Sequence, residues 1–421
     1  MRIAYATETF LPSVDGVVTR MTHALDRLRE LGHEVTIVCP DLGCDAYRGF
    51  EVVGVPAVRY PVYRSRKWGT LDRSLVRETL LRVRPDVVHV WQPTMVGFAA
   101  VLEARRLRLP LVTSYHTNVD QYLRYYGAFR VFSRPVMRLM RWLNNTSPIT
   151  LVTSQSMRRY LGERGFSGLR VLPRGVDLAH RDPRFRDAET RARLSGGRPE
   201  APLLLYVGRI SAEKGVSDLA PTMRAHPEWS LALVGDGPAM GQCRRAFAGT
   251  HTTFTGFLTG DELSRAYASA DCLVFPSRTE TLGLVILESM ASGVPVVAAR
   301  SPATVEQVED GRDGLVYDPD DPGALERCVS RVLLDRDLAG SFVEEGLRQA
   351  ALNGWDAASD ALVDAYRDTV AAYREGWVEP RHPASPQPPD AQAGPAATSA
   401  AQASPGRGRD AGRGGQAGWS R

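Results

Sequence analysis

Residues 278–298 read RTETLGLVILESMASGVPVVA. An apolar run that stops at Ser292-Gly293 and resumes as a second apolar run predicts a helix, a glycine-turned end and a buried strand. Glu280 then stands at the entrance to the helix and Glu288 on it, eight residues further along. Both carboxylates would face the carboxyl edge of a parallel sheet, the edge at which open α/β sheets bind ligands.

The same grammar runs outward in both directions. Residues 2–7, 33–39, 86–90, 110–115 and 149–154 are short apolar-rich runs that predict buried parallel strands. Helical segments separate them, such as 18–31 with Leu25, Leu28 and Leu31 on its apolar stripe. A charged connector, 178–200, leads to a second cycle of strands at 202–208, 229–235, 251–256, 271–277, 295–299 and 314–318. Two successive β-α arrays imply two doubly wound α/β domains with a cleft between them. The expected boundaries are 1–175 and 176–354, with an amphipathic helix in 355–379 packing back across the cleft. Residues 380–421, rich in Pro, Ala, Gly and Ser, carry no core-forming pattern and are expected to be disordered.

Bulk properties agree with this division. A chain of 421 residues exceeds one ordinary core, and 43% hydrophobic with 24% charged residues is a soluble globular composition. The start, MRIAYATETF, reads as a first strand rather than a signal peptide. No run of 18 uncharged apolar residues exists to span a membrane. The five cysteines, Cys39, Cys44, Cys243, Cys272 and Cys328, form no CxxC pair, which points to a cytosolic chain without zinc or disulfides. Charge is uneven: residues 1–172 carry 25 Lys and Arg against 14 Asp and Glu, and residues 173–379 carry 22 against 32. A basic first half suits an anionic lipid surface, although solvated charge explains it equally well. Only Lys67 and Lys214 are lysines in an otherwise arginine-based cation set.

Doubly wound domains raise the dinucleotide and P-loop readings. Neither G-x-G-x-x-G after a first strand nor G-x-x-x-x-G-K-[ST] is present, which argues against hydride transfer and ATP hydrolysis. Residues 207–215, VGRISAEKG, are more specific. Arg209 and Lys214 bracket a short loop before a helix start, where fixed charge and free N–H groups suit a pyrophosphate. Pairing with Glu213 or with solvent is the plainer alternative. VGDGP (234–238) ends the next strand in a turn that is common on its own account. A carboxylate accepts from vicinal hydroxyls, so Glu288 suits a ribose and Glu280 a second sugar, with N–H groups of Thr281, Leu282 and Gly283 between them. Glu280 could instead be a charge complementing the helix dipole.

Taken in order, VGRISAEKG, VGDGP and PSRTETLGLVILESMASGVPVVA resemble the donor-domain signature of the family 4 retaining glycosyltransferases. The resemblance covers roughly residues 1–375 and extends to ETFLPSVDGVVTRM, SYHTN and LPRGVD in the first half. It implies a GT-B fold, two Rossmann-like domains facing across a cleft. It further implies a nucleotide-sugar donor, with Arg209 and Lys214 on the diphosphate, Glu288 on the ribose, and Glu280, Leu282 and Gly283 on the transferred sugar. Gly16 would let the first loop approach the phosphates, and His116 would hydrogen-bond a sugar hydroxyl; read alone, a histidine after a strand is structural. Asp15-Gly16 replaces the Gly-Gly of many members and is similar to the subset of α-mannosyltransferases and sulfoquinovosyl-type enzymes acting on glycolipids. Leu282 stands where Phe is common, Leu284 where Asn or Ile is frequent, and Arg181 where an aromatic is frequent, which bears on donor choice and hinge packing.

The implied activity is transfer of a hexose, mannose from GDP-mannose, to a lipid or lipid-linked acceptor. Neither glutamate is implied to be a nucleophile, so same-face attack is expected, with Arg209 and Lys214 stabilising the departing diphosphate. No metal or other cofactor is required. The D-x-D of Asp318 and Asp320 is read as an N-cap and turn. In residues 129–145, Arg130, Arg134, Arg138 and Arg141 share one helical face, and Phe132, Val136, Leu139 and Leu143 another. Such a helix suits peripheral contact with an anionic membrane at the cytoplasmic side, or simply a solvated surface. No nucleic-acid partner is expected. The rival readings are a UDP-sugar-dependent transferase with a small soluble acceptor, and a nucleotide-sugar-binding protein without turnover.

Overall fold

Strand β1 (Arg2–Ala6) alternates Ile3 and Tyr5 on one face with Ala4 and Ala6 on the other, every one of them buried. A strand covered on both faces must lie inside a layered α/β array. The computed structural model describes residues 1–13, 15–59, 67–116, 133–278, 280 and 283–379. Around β1 stand β2 (Glu34–Pro40), β3 (Ala46–Tyr47) and β4 (Phe50–Val55). A small antiparallel pair follows, β5 (Ala57–Arg59) with β6 (Lys67–Gly69), and then β7 (Val87–Val90), β8 (Leu111–Tyr115), β9 (Ile149–Val152) and β10 (Leu169–Val171). The sheet order is β10-β9-β8-β7-β1-β2-β4-β3, parallel except for β3.

The second sheet holds β11 (Leu203–Val207), β12 (Ser230–Val234), β13 (Thr252–Gly256), β14 (Cys272–Phe275), β15 (Val296–Ala299) and β16 (Leu315–Tyr317). Its order is β13-β12-β11-β14-β15-β16, all parallel. Strand order reverses at β1/β7 in the first sheet and at β11/β14 in the second. In open α/β sheets ligands bind outside the strands' carboxyl ends at such switch points.

Each sheet is covered on both faces. One face of the first packs Met21, Leu25 and Leu28 of helix Gly16–Glu30 together with Leu362, Val363 and Tyr366. Those last three belong to the long helix Trp355–Arg374, which leaves the second half at a Val176–Gly354 bridge. Full burial of each such side chain contributes about 1.5–3 kcal/mol, enough to hold that helix on the first sheet. The expected apolar Leu31 lies one residue beyond helix Gly16–Glu30 and is 40% exposed. It caps the helix with its N–H instead of packing its side chain.

Strands β3 to β6 and β10 were not among the expected runs. They are short, and several of their residues are half-buried or exposed, so no continuous apolar run marks them. The connector contains a helix, Ala188–Leu194, capped by Asp187. Residues 380–421, expected as a disordered tail, lie outside the described residues.

Candidate active site

The loops after β11 and β12 are built by close backbone approach. After β11, Gly208 has φ +148°, and a Cβ added at Gly235 (φ +131°) would lie 2.0 Å from the Gly208 carbonyl oxygen. A Cβ at Gly237 would lie 2.2 Å from the Ile210 carbonyl oxygen. Ile210 N–H donates to the Asp236 carbonyl at 3.0 Å, and Ala239 N–H to the Ile210 carbonyl at 3.0 Å. The VGDGP turn is therefore the buttress of the Arg209 loop. The Tyr206 hydroxyl, buried beneath, donates to the Arg209 carbonyl at 2.9 Å. The Arg209 side chain itself is exposed and makes no ion pair among the described residues.

Lys214 closes the following turn, and Gly215 (φ +65°) passes so near β14's exit that an added Cβ would lie 3.1 Å from the Pro276 carbonyl oxygen. That approach delivers Lys214 Nζ to 2.6 Å from Glu280 Oε2, with the two side chains 19% and 13% exposed. The alternative partner, Glu213, accepts from the Ser211 hydroxyl at 2.7 Å instead. Glu280 lies in the loop before helix Leu284–Ala291 rather than on its first turn. Gly283 caps that helix at φ +59°, and an added Cβ would meet Gln307 Nε2 at 2.5 Å and Glu280 Cγ at 3.2 Å. Thr281 and Leu282 lie outside the described residues.

Glu288 is held from two sides. The Tyr267 hydroxyl donates to Glu288 Oε2 at 2.7 Å, and Arg181 Nη2 stands 3.8 Å from Glu288 Oε1. Burial keeps the Tyr267 phenol protonated and thus a donor. Arg181 Nη1 donates to the Ser264 hydroxyl at 2.9 Å, and its guanidinium lies 5.4 Å over the Tyr267 ring. The arginine that departs from the family's aromatic thus bears on a site carboxylate.

On the first-half side, His116 follows β8 and stacks on Trp91, with ring centroids 5.4 Å apart and planes at 14°. Burial, with the nearby Arg20 charge, pulls its pKa down to about 3, so the imidazole is neutral at pH 7. Trp91 in turn meets His89, whose Nδ1 and Nε2 lie 2.7 Å from the Tyr366 and Ser114 hydroxyls. Gly16 opens its helix in an exposed position, but the Asp15 carboxylate already accepts from Val17 N–H (3.0 Å) and Val18 N–H (3.1 Å). An approaching phosphate would share those N–H groups with Asp15.

The structure thus joins Lys214, Glu280 and Gly283 directly, and Glu288 follows on the helix that Gly283 caps. His116 stands apart on the first half. The field of Arg20 reaches His116, and that of Glu280 reaches Arg174. Sequence reading did not single out Tyr267, Trp91 and Gln307, which have no motif around them, nor Arg20 and Arg174, which lie within the stretches ETFLPSVDGVVTRM and LPRGVD. Asp318 accepts from Asp320 N–H at 2.9 Å and Asp320 pairs with Arg278 at 2.7 Å, the geometry of a turn. In helix Ser133–Asn145, Arg134 and Arg138 are exposed and Leu143 is buried, but Leu139 (42%) and Trp142 (38%) face outward beside the arginines. Leu139 therefore leaves the apolar face assigned to it, whereas Arg130 and Phe132 lie outside the described residues.

Two family models match the chain, Glycosyltransferase Family 4 over residues 14–180 and Glycosyl transferases group 1 over residues 201–335. The sulfoquinovosyl transferase of Arabidopsis thaliana is 36% identical over 83% of this chain and 70% of its own length. A GDP-mannose-dependent alpha-mannosyltransferase of Mycolicibacterium smegmatis is 32% identical over 87% of this chain and 97% of its own length. Among solved structures, sucrose-phosphate synthase of Thermosynechococcus elongatus superposes with a TM-score of 0.72 at 22% identity, covering 88% of this chain and 99% of that one, a likeness of fold. Two doubly wound sheets with their switch points at β1/β7 and β11/β14, and family models and relatives over both halves, give one conclusion: the chain belongs to glycosyltransferase family 4 and is a hexosyl-transferring enzyme of the GT-B fold.

Proposed function

We propose that the enzyme transfers a hexose with retention from a nucleotide diphosphate sugar to a lipid or lipid-linked hydroxyl, and that the donor is GDP-mannose. The observation that carries this reading is the contact of Lys214 Nζ with Glu280 Oε2 at 2.6 Å. A cation suited to a diphosphate touches a carboxylate suited to sugar hydroxyls, so phosphate and sugar of one donor would meet there. Arg209, exposed at the exit of β11, serves the diphosphate, and Glu288, oriented by Tyr267, serves the ribose. The bond from the anomeric carbon to the diphosphate oxygen breaks while the acceptor oxygen bonds that carbon on the same face. The acceptor proton passes to the departing phosphate oxygen. Arg209 and Lys214 carry the developing charge, and the scheme calls for no metal.

The GDP-mannose assignment is supported by mannosyltransferase relatives, including the Mycolicibacterium smegmatis protein at 32% identity. A second reading, a sulfonated sugar as the transferred group, is favoured by the higher identity, 36%, to the sulfoquinovosyl transferase. Contact with the lipid phase is assigned to helix Ser133–Asn145, where Trp142 and Leu139 sit outward among arginines, as an interfacial helix requires. No helix among the described residues is long and apolar enough to cross a membrane.

The test is a thermal-shift panel of GDP, UDP, ADP and their sugar conjugates. Ligand at 100-fold over Kd adds about 2.7 kcal/mol, a readable shift. Stabilisation by GDP and GDP-mannose, lost in Lys214→Ala, supports the first reading. A response to UDP conjugates alone replaces the donor, and silence from every nucleotide overturns the nucleotide-sugar site.

A further inference from the structure

Arg20 sits in the second turn of helix Gly16–Glu30 and is 2% exposed. Its Nη2 donates to the Pro173 carbonyl at 2.7 Å, while Nε and Nη1 have no partner among the described residues. The neighbouring residue in the chain, Arg174, brings a second, half-buried guanidinium to the same place. Burial and the Arg174 charge draw the Arg20 pKa down to about 9, so it still carries its proton at neutral pH. A buried guanidinium with most of its donors unused, and a like charge alongside, opposes folding unless something returns the lost solvation.

The surroundings say what that something is. Arg20 rides on the helix that begins at Gly16, and Arg174 lies on the segment joining the two halves. The Arg20 charge is felt at His116, and Arg174 feels Glu280 and Glu306 from the second half. Arg20 is thus within electrostatic reach of His116, and Arg174 of Glu280, the two residues assigned to the sugar. Guanidinium forks match planar or trigonal oxyanions, which they hold through two parallel hydrogen bonds. We propose that Arg20, with Arg174 beside it, is an anion subsite of the cleft that takes a carboxylate or sulfonate carried by a substrate, in addition to the donor diphosphate. The acidic group is borne either by the transferred sugar or by the acceptor, and the assignment rests on the nucleotide-sugar reading above.

The experiment measures binding to the full chain by calorimetry in two arms. The donor arm compares UDP-glucuronate with UDP-glucose, and GDP-mannuronate with GDP-mannose, with UDP and GDP alone as references. The acceptor arm compares glucuronosyl-diacylglycerol with glucosyl-diacylglycerol in mixed micelles. The wild type is expected to bind the acidic member at least tenfold more tightly in one arm, which identifies the source. Arg20→Gln and Arg174→Gln should each abolish that preference while binding of UDP or GDP changes less than twofold. Arg174→Gln keeps the test valid if the more buried Arg20→Gln fails to fold. Equal binding of acidic and neutral members in both arms, with the nucleotides still bound, overturns the subsite and leaves the donor reading intact. Equal weakening of UDP or GDP by Arg20→Gln reassigns the arginine to the diphosphate and also overturns it. If no nucleotide binds at all, the donor reading fails and the subsite falls with it.

Discussion

Lys214 Nζ and Glu280 Oε2 stand 2.6 Å apart, so two residues read as serving one donor also hold each other. Both side chains are mostly buried, and removing either leaves its partner's charge poorly solvated. A double-mutant cycle on Lys214→Ala and Glu280→Ala should therefore give a stability coupling of about 1 kcal/mol or more by urea titration. Additive losses would mean the pair is only a geometric neighbour. In turnover, Lys214→Ala should lower kcat by about 10²–10³-fold, the usual cost of one cation facing developing charge.

Gly235 offers a sharper structural test. Its φ of +131° suits glycine, and an added Cβ would stand 2.0 Å from the Gly208 carbonyl oxygen. Gly235→Ala should cost more than about 1 kcal/mol from backbone conformation alone, with the clash in addition. It should also displace the Arg209 loop and weaken nucleotide binding. Gly249, at φ +80° with nothing within 4 Å of its Cβ position, is the control. Alanine there should cost only about 1 kcal/mol of strain and leave nucleotide affinity unchanged. Equal effects at the two glycines would remove the buttress from the account.

The contrast between those glycines also marks what a sequence can convey. Parallel strands buried on both faces, such as LLLYV and SLALV, appear as unbroken apolar runs and were placed within a residue or two. Strand β3 at the sheet edge and the separate pair β5 and β6 carry no such run, and β4 interrupts its apolar residues with exposed Glu51 and Gly54. Arg209, Lys214, Glu280 and Glu288 could be singled out because they stand at motif spacings within two short segments, 207–215 and 278–298. Tyr267 and Arg181 reach Glu288 from helix Gly260–Ala268 and the connector, and their nearness is a product of packing that no local spacing encodes. Leu139 shows the reverse limit: its helical phase was readable, but the face that turns to water depends on what packs beneath the helix.

Tyr267→Phe tests the orientation of Glu288. The lost hydroxyl takes with it a hydrogen bond of 2.7 Å to a carboxylate, a type of bond that contributes about 1.5–3 kcal/mol. If Glu288 grips the ribose, its misalignment should weaken donor and free nucleoside diphosphate alike, by about 10–100-fold. Because the ribose is bound equally in ground and transition states, kcat should change little while KM rises. A fall in kcat at unchanged KM would move Glu288 from holding the nucleotide to acting on the reacting sugar.

The neutrality of His116 makes a prediction in pH. Burial, with the Arg20 charge second, brings its pKa down to about 3, against about 6.5 in an unfolded chain. The unfolded state therefore takes up a proton that the folded state refuses. Stability from this residue is complete above about pH 6.5 and drains away as pH falls toward 3. Each such histidine adds about 1.4 kcal/mol per pH unit to the slope within that window. His89, held well below its ordinary range by burial, acts in the same sense. Urea titrations between pH 6 and 4.5 should show the wild type losing stability more steeply than His116→Gln, by about 1.4 kcal/mol per pH unit. His89 and the carboxylates are common to both proteins and drop out of the difference. Parallel slopes would mean that His116 is already charged in the folded state. In that case it would meet a sugar hydroxyl as a cation that only donates, and the acid side of the kcat/KM profile would follow its titration. With a neutral imidazole, no limb of that profile near pH 6 belongs to His116, and His116→Gln should lower kcat/KM by the same factor from pH 6 to pH 8.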